Sequence, residues 1–194
     1  MSCYITSGEA LGCSDGIGGI KKIYIVGNSG STLGGVTGYT YDADGAITGA
    51  TSAANTTLYG FELKRNTSSL AQNVQKNFEN GTIFFEQVLT AILFRYDQEK
   101  RNQLKVLSQN DKIQIIAIDQ NNAYYLLGQV HGMYLSGGAA TTGTAYGDRN
   151  GFEMIFTGQE NTPANTILST TYDEQTATYA QVLGSVFTGA TING

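Results

Sequence analysis

The stretch Thr82–Phe94, which follows Glu79-Asn80-Gly81, limits the architecture of this chain more than any other feature. Asn-Gly accepts the positive φ angles of a tight hairpin turn, so the chain is expected to reverse there. Beyond it, odd positions carry Ile83, Phe85, Leu89, Ala91 and Leu93, and even positions carry Phe84, Val88, Ile92 and Phe94. Successive side chains of a strand point to opposite faces. A long strand that is apolar on both faces therefore needs core on one side and a helix or a neighbour on the other.

Composition points the same way. Of 194 residues, 41% are apolar and only 14% charged, below the usual quarter. There are 25 glycines, one proline (Pro163), 12 tyrosines, 8 phenylalanines and no tryptophan, which is β-favouring material joined by glycine turns. The length suits one domain with a sizeable core. Uncharged Ser, Thr, Asn and Gln supply much of the surface polarity, and such groups are buried in contacts at less cost than charges.

Further strands are expected at Ile20–Val26, Thr57–Lys64, Lys112–Asp119, Ala123–Gly128, Gln129–Ser136 and Gly151–Gly158, with a hairpin at Gln120-Asn121-Asn122. Ser69–Lys76 is polar and thinly patterned, as an edge strand or one facing a lumen or partner would be. Residues 27–55 are rich in Gly, Ala, Ser and Thr and read as an excursion, a long hairpin or a mobile surface loop, with short strands at Val36–Thr40 and Ala46–Thr48. One helix is expected over residues 97–109, capped by Asp97, with Leu104 and Leu107 as a narrow stripe that suits the outside of a sheet. Gly137–Asp148 reads as a loop. Residues 161–194 read as a Thr-rich arm that orders against another subunit. The expected fold is mainly β: an antiparallel barrel or sandwich with one flanking helix, in a single domain over 1–160 followed by the arm.

Motifs for chemistry are missing from the pattern. His131 is the sole histidine, and Cys3 and Cys13 lack Cys-x-x-Cys spacing, so no metal or thiol centre is expected. The two cysteines are spaced to close one small loop, but the simplest account is synthesis in a reducing cytoplasm with both thiols free. Asp42-Ala43-Asp44-Gly45 begins like a calcium loop but lacks the later glutamate, and reads as a turn. Gly16-Ile17-Gly18-Gly19 precedes a strand, the reverse of a nucleotide cradle. We expect no catalytic residue, no cofactor and no enzyme activity. A net charge of −5 argues against a surface that grips phosphates, though not against one that lets DNA pass. No stretch reaches the length of an apolar membrane span, and the opening residues have no signal-peptide pattern.

Three stretches resemble virion proteins of tailed bacteriophages, especially those of Bacteroidetes hosts. They are Cys3–Cys13 with Asp15–Ile25, Phe84–Gln87 through Asp97–Leu104, and Thr142–Phe152 ending at Phe156–Glu160. The resemblance implies a tail-tube-like protein whose subunits join their sheets side by side into rings, commonly six-fold in that family, that stack into a channel for DNA. Its partners would be copies of itself and other phage tail proteins, and its place the virion tail, assembled in the host cytoplasm. A collar or tail ring of a short-tailed phage is the near alternative, and a carbohydrate- or cell-binding β-sandwich the distant one. On this reading the hairpin around Asn80-Gly81 lines the channel with Gln72, Asn73, Gln75, Glu79, Glu86 and Gln87. The basic pairs Lys21-Lys22 and Lys100-Arg101 read as a solvated strand end and a solvated helix face, or alternatively as contacts to acids of the next subunit, such as Asp173 and Glu174.

Overall fold

A computed structural model describes residues 16–28, 36–53, 55–95, 97–173 and 176–194. Cys3, Cys13 and Glu174, singled out above, lie outside the described residues. The protein is mainly β and built as two packed sheets, sandwich-like and without a closed barrel.

The larger sheet contains β1 (Ile20–Asn28), β2 (Val36–Tyr41), β3 (Ile47–Ser52) and β4 (Thr56–Glu62). The smaller is formed by β5 (Ser69–Asn77), β6 (Thr82–Phe94), β9 (Met133–Thr141) and β10 (Gly151–Glu160), in the order β5-β6-β10-β9 and antiparallel throughout. Between β6 and β9 come helix α1 (Gln98–Ser108), β7 (Gln114–Asp119) and β8 (Tyr124–Leu127), and both strands join the larger sheet. After β10 the chain adds β11 (Asn165–Ile167), helix α2 (Tyr179–Val186), β12 (Phe187–Thr188) and β13 (Thr191–Asn193) to that sheet. Its path runs β12-β3-β11-β8-β7-β1-β4-β13, with β2 beside β3. Paired backbone hydrogen bonds of 2.7 Å between Ile113 and Met133 tie the two sheets at one corner.

The alternation of β1 and β7 builds three layers. Ile23, Ile25, Ile115 and Ala117 face the smaller sheet, where they meet Leu89, Ala91, Leu93, Met154 and Phe156. Tyr24, Val26, Ile116 and Ile118 point the other way, into a second core closed by Val182, Leu183, Val186 and Phe187 of the C-terminal segment. The strand cover deduced for β6 is thus realised on both faces of β1 and β7, whose sequences are near-continuous apolar runs. On β6 itself full burial is confined to the odd positions Gln87 to Leu93; Ile83 is exposed, and Phe85 and the even-numbered Phe84, Val88, Ile92 and Phe94 are partly buried.

Helix α1 begins where expected: Asp97 accepts the Lys100 N–H at 2.9 Å, and Leu104 and Leu107 rest partly buried on the inter-sheet core.

Several expectations need correction. The chain carries a second helix, α2, capped by reciprocal bonds between Thr178 and Gln181. Far from being a free arm, the segment after residue 161 is part of the core, because Val182, Leu183, Val186 and Phe187 supply the apolar cover that the far face of the larger sheet requires. Of the two readings of 27–55, the long hairpin holds in the described part, since β2 and β3 pair antiparallel, and the mobile surface loop does not. Val36, Ile47 and Ala50 of the β2–β3 hairpin lie in the same core. The strand expected at Gln129–Ser136 starts only at Met133, since Gly128 and Gly132 adopt φ of +65° and +83° in a turn. The loop expected from Gly137 is ladder as far as Thr141, because β10 pairs with it.

Candidate functional site

β5 closes one end of the smaller sheet, and no described strand pairs with its outward edge. Its residues are polar and almost uncharged, with Lys76 alone carrying charge, and they hold no proline. Edge strands of monomeric proteins are normally blocked by charge, proline, bulges or a covering element. β9 forms the other end of this sheet and is unpaired by described strands beyond Met133. With two antiparallel strands, β6 and β10, between them, β5 and β9 run in opposite directions.

The β5–β6 hairpin also projects beyond the sandwich. Along β6 towards the turn, Leu89 and Gln87 are fully buried, Phe85 partly, and Ile83 is 52% exposed. Across from them Val74 is 60% exposed, and Phe78 in the turn is 83% exposed. Gly81 takes a φ of +64°, but Asn80 does not share the positive φ and residues 78–81 separate Asn77 from Thr82, so the turn is wider than the tight Asn-Gly hairpin expected. At the tip the Lys76 ammonium lies 4.7 Å from the Phe78 ring centre, and Val74, Ile83 and Phe78 all leave more than half of their surface exposed.

The six residues expected along a channel divide between the two faces of this hairpin, because neighbouring positions of a strand alternate. Asn73 pairs with Glu86 and Gln75 with Phe84 on the outer face, where Gln75 Nε2 donates to Glu86 Oε2 at 3.4 Å. Gln72 pairs with Gln87 on the inner face. Gln72 is exposed, and its Oε1 accepts the Ala164 N–H at 2.8 Å. Gln87 is only 1% exposed and accepts the Gly128 N–H, so it belongs to the interior and leaves the channel set. Glu79 sits in the exposed turn.

The basic pairs are engaged within their own chain. Lys22 is 5% exposed; its Nζ lies 5.0 Å from the ring centres of Tyr24 and Tyr179 and 3.8 Å from Glu62. It therefore pins the start of α2 to the larger sheet and is withdrawn from any contact with another subunit. Lys21 donates to Asn122 Oδ1 and also approaches the Tyr179 ring. Lys100 spends its ammonium on Asp97, at 3.1 Å, and on the Phe94 carbonyl, at 2.8 Å. Arg101 donates to Gln98 at 3.4 Å and is exposed on the helix. Asp173 is exposed, its carbonyl accepting the N–H groups of Thr176 and Ala177.

A cleft that sequence reasoning missed opens beside the hairpin, with a volume of about 450 Å³. Phe84, Asp111, His131, Tyr134 and Glu160 are among its lining residues. They come from β6, the loop after α1, the 128–132 turn, and β9 and β10, and no spacing in the sequence links them. The turn depends on glycine: a Cβ at Gly132 would stand 2.7 Å from the Lys112 Cα, and one at Gly128 2.7 Å from the Met133 nitrogen. Glu160 holds the turn from below, its Oε1 accepting the Val130 N–H at 3.0 Å and the His131 N–H at 2.8 Å. Among the described residues no group of three or more His, Cys, Asp or Glu is arranged to hold a metal ion, and no helix is long and apolar enough to cross a membrane. Comparison with known proteins finds no similar family model, curated protein or solved structure.

Proposed function

We propose that this protein is a structural subunit that assembles with copies of itself, as a tail-tube or tail-ring component of a bacteriophage virion, and performs no catalysis. The observation that carries this reading is the β5 edge together with the apolar tip of its hairpin, Val74, Phe78 and Ile83. A strand edge with little charge and no proline is a ready template on which another chain can add a strand. Oppositely directed end strands suit a head-to-tail contact, in which β9 of one copy meets β5 of the next as a regular antiparallel pair. Repeated with rotation, that contact closes a ring.

The outer face of the smaller sheet is divided in a way that fits such an assembly. Near the hairpin tip it carries Asn73, Gln75 and Glu86 with Phe84 among them; nearer the base it carries Val88, Ile92, Phe94 and Ile155, all partly buried. In the assembled state the polar half faces the channel, and the apolar half packs on neighbouring subunits. A polar and acidic channel wall lets a polyanion slide without holding it.

Light scattering coupled to size exclusion, with negative-stain imaging, tests the proposal. The wild-type chain is expected to form rings or tubes. Val74→Lys combined with Phe78→Lys is expected to give monomers with an unchanged melting temperature, since both side chains are exposed in the single chain. A wild-type chain that stays monomeric at high concentration overturns the reading.

A further inference from the structure

We propose that Asn80 is a site of spontaneous covalent modification, where the fold leaves one Asn-Gly pair free to turn its amide into aspartate and isoaspartate while it holds the others unreactive. This goes beyond the assembly reading and does not depend on it. The sequence has three Asn-Gly pairs, Asn80-Gly81, Asn150-Gly151 and Asn193-Gly194. Each carries the same latent chemistry, because a glycine puts no Cβ beside its own nitrogen. The glycine nitrogen, after losing its proton to hydroxide, attacks the asparagine Cγ; the Cγ–Nδ2 bond breaks and ammonia leaves. Water then opens the cyclic imide, at Cγ to give aspartate or at the backbone carbonyl to give isoaspartate, whose main chain runs through Cβ. Nothing is oxidised or reduced.

What separates the three pairs is whether the backbone can swing into the geometry of attack. Asn80 and Gly81 lie in the exposed turn between β5 and β6. Asn77 Oδ1 accepts the N–H groups of Glu79 at 3.0 Å and Asn80 at 3.2 Å, which ties down the β5 side of the turn only. Neither the Asn80 carboxamide nor the Gly81 N–H has a hydrogen-bond partner among the described residues, and a Cβ on Gly81 would meet nothing within 4 Å. Asn150-Gly151 is the opposite case. Gly151 is buried and paired on both sides, with Phe94 and Thr141, and a Cβ there would collide with the Leu93 carbonyl oxygen. The Asn150 carbonyl accepts the Arg95 N–H at 3.0 Å. Asn193 is held beside Tyr59 in the β13–β4 ladder, and a Cβ on Gly194 would stand 2.9 Å from the Gly60 Cα. Conversion at Asn80 sets a new negative charge beside Glu79, and the isoaspartate form also lengthens the backbone of the turn.

Peptide mapping by mass spectrometry tests this on the native chain and on the chain unfolded in urea, both aged in warm, mildly alkaline buffer. A protein-isoaspartate methyltransferase with a labelled methyl donor counts the isoaspartate formed. In urea the three pairs should convert at comparable rates, since each has the same local sequence chemistry. In the native chain Asn80 should convert roughly tenfold or more faster than Asn150 and Asn193, the scale by which misplaced reacting atoms slow a reaction. Asn80→Gln keeps an exposed amide but lengthens the side chain beyond the favoured ring, so it should remove most of the native-state isoaspartate and leave the melting temperature unchanged. Native-state conversion no faster at Asn80 than at Asn150 or Asn193, or an isoaspartate signal undiminished in Asn80→Gln, would overturn the proposal.

Discussion

Gln87 Oε1 accepts a hydrogen bond of 3.0 Å from the backbone N–H of Gly128, joining β6 of the smaller sheet to the turn that leaves β8 of the larger. Both groups are buried, so each is the other's replacement for water. Gln87→Leu keeps the volume and removes the acceptor, stranding the Gly128 N–H. The cost expected for a buried unsatisfied donor is about 1–3 kcal/mol. In a chain of this size each kcal/mol lowers the melting temperature by roughly 2–4 °C. Calorimetry of Gln87→Leu should show that fall with no change in oligomeric state, as befits an interior residue.

The C-terminal segment invites a sharper test, because an arm and a core element respond oppositely to truncation of a side chain. Leu183 is fully buried in α2 against the larger sheet. Leu183→Ala should destabilise the single chain by about 2–5 kcal/mol, read from chemical denaturation. An arm that orders only on a neighbour would leave monomer stability unchanged and weaken assembly alone.

The contrast between β6 and α2 explains what was legible beforehand. β6 and its turn are written locally, in an Asn-Gly pair and a long apolar run, and the strand begins and ends where that run does. Helix α1 carries its own cap in Asp97. Helix α2 also has a local signal, the Thr178-x-x-Gln181 capping box, but it spans only Tyr179–Val186 and includes Gly184, so its periodicity is too short to stand out among threonines. Gly137–Thr141 carries no strand signal of its own and is held extended by β10. Gln87 looks like any other polar residue of a hairpin, since burial there depends on a turn 41 positions away. The cleft gathers Phe84, Asp111 and Glu160 from distant segments, which only the folded topology can do.

Alkaline pH should act through Tyr39. Its hydroxyl donates to the Val36 carbonyl at 3.2 Å and receives a bond from Gln114 Nε2 at 2.9 Å. Burial pushes its pKa from 10.0 up to about 12, with Tyr41 and Glu160 adding to the rise and the Gln114 bond opposing it. The fold therefore favours the neutral phenol. That contribution is complete below the unfolded value of 10.0 and is lost as pH rises through about 12. The stability difference between wild type and Tyr39→Phe should narrow across this window in urea melts, while remaining constant at lower pH.

If the chain assembles as proposed, the acids of the hairpin line the path of the DNA. Glu79 lies in the exposed turn, and Glu86 shares the outer face with Asn73 and Gln75. Replacing both by lysine changes the local charge by four units per subunit, and a ring multiplies that around the channel wall. Each lysine that neutralises a phosphate releases a counterion, so DNA held by such a wall should let go steeply as salt is raised. Assembled wild-type particles are expected to retain no DNA in a co-sedimentation assay. Particles of Glu79→Lys/Glu86→Lys should retain it at low salt and release it at high salt. Neither side chain is needed for the β5 edge, so the variant should assemble normally. Retention by neither particle would remove these residues from the channel wall and turn the outer face of the hairpin away from DNA.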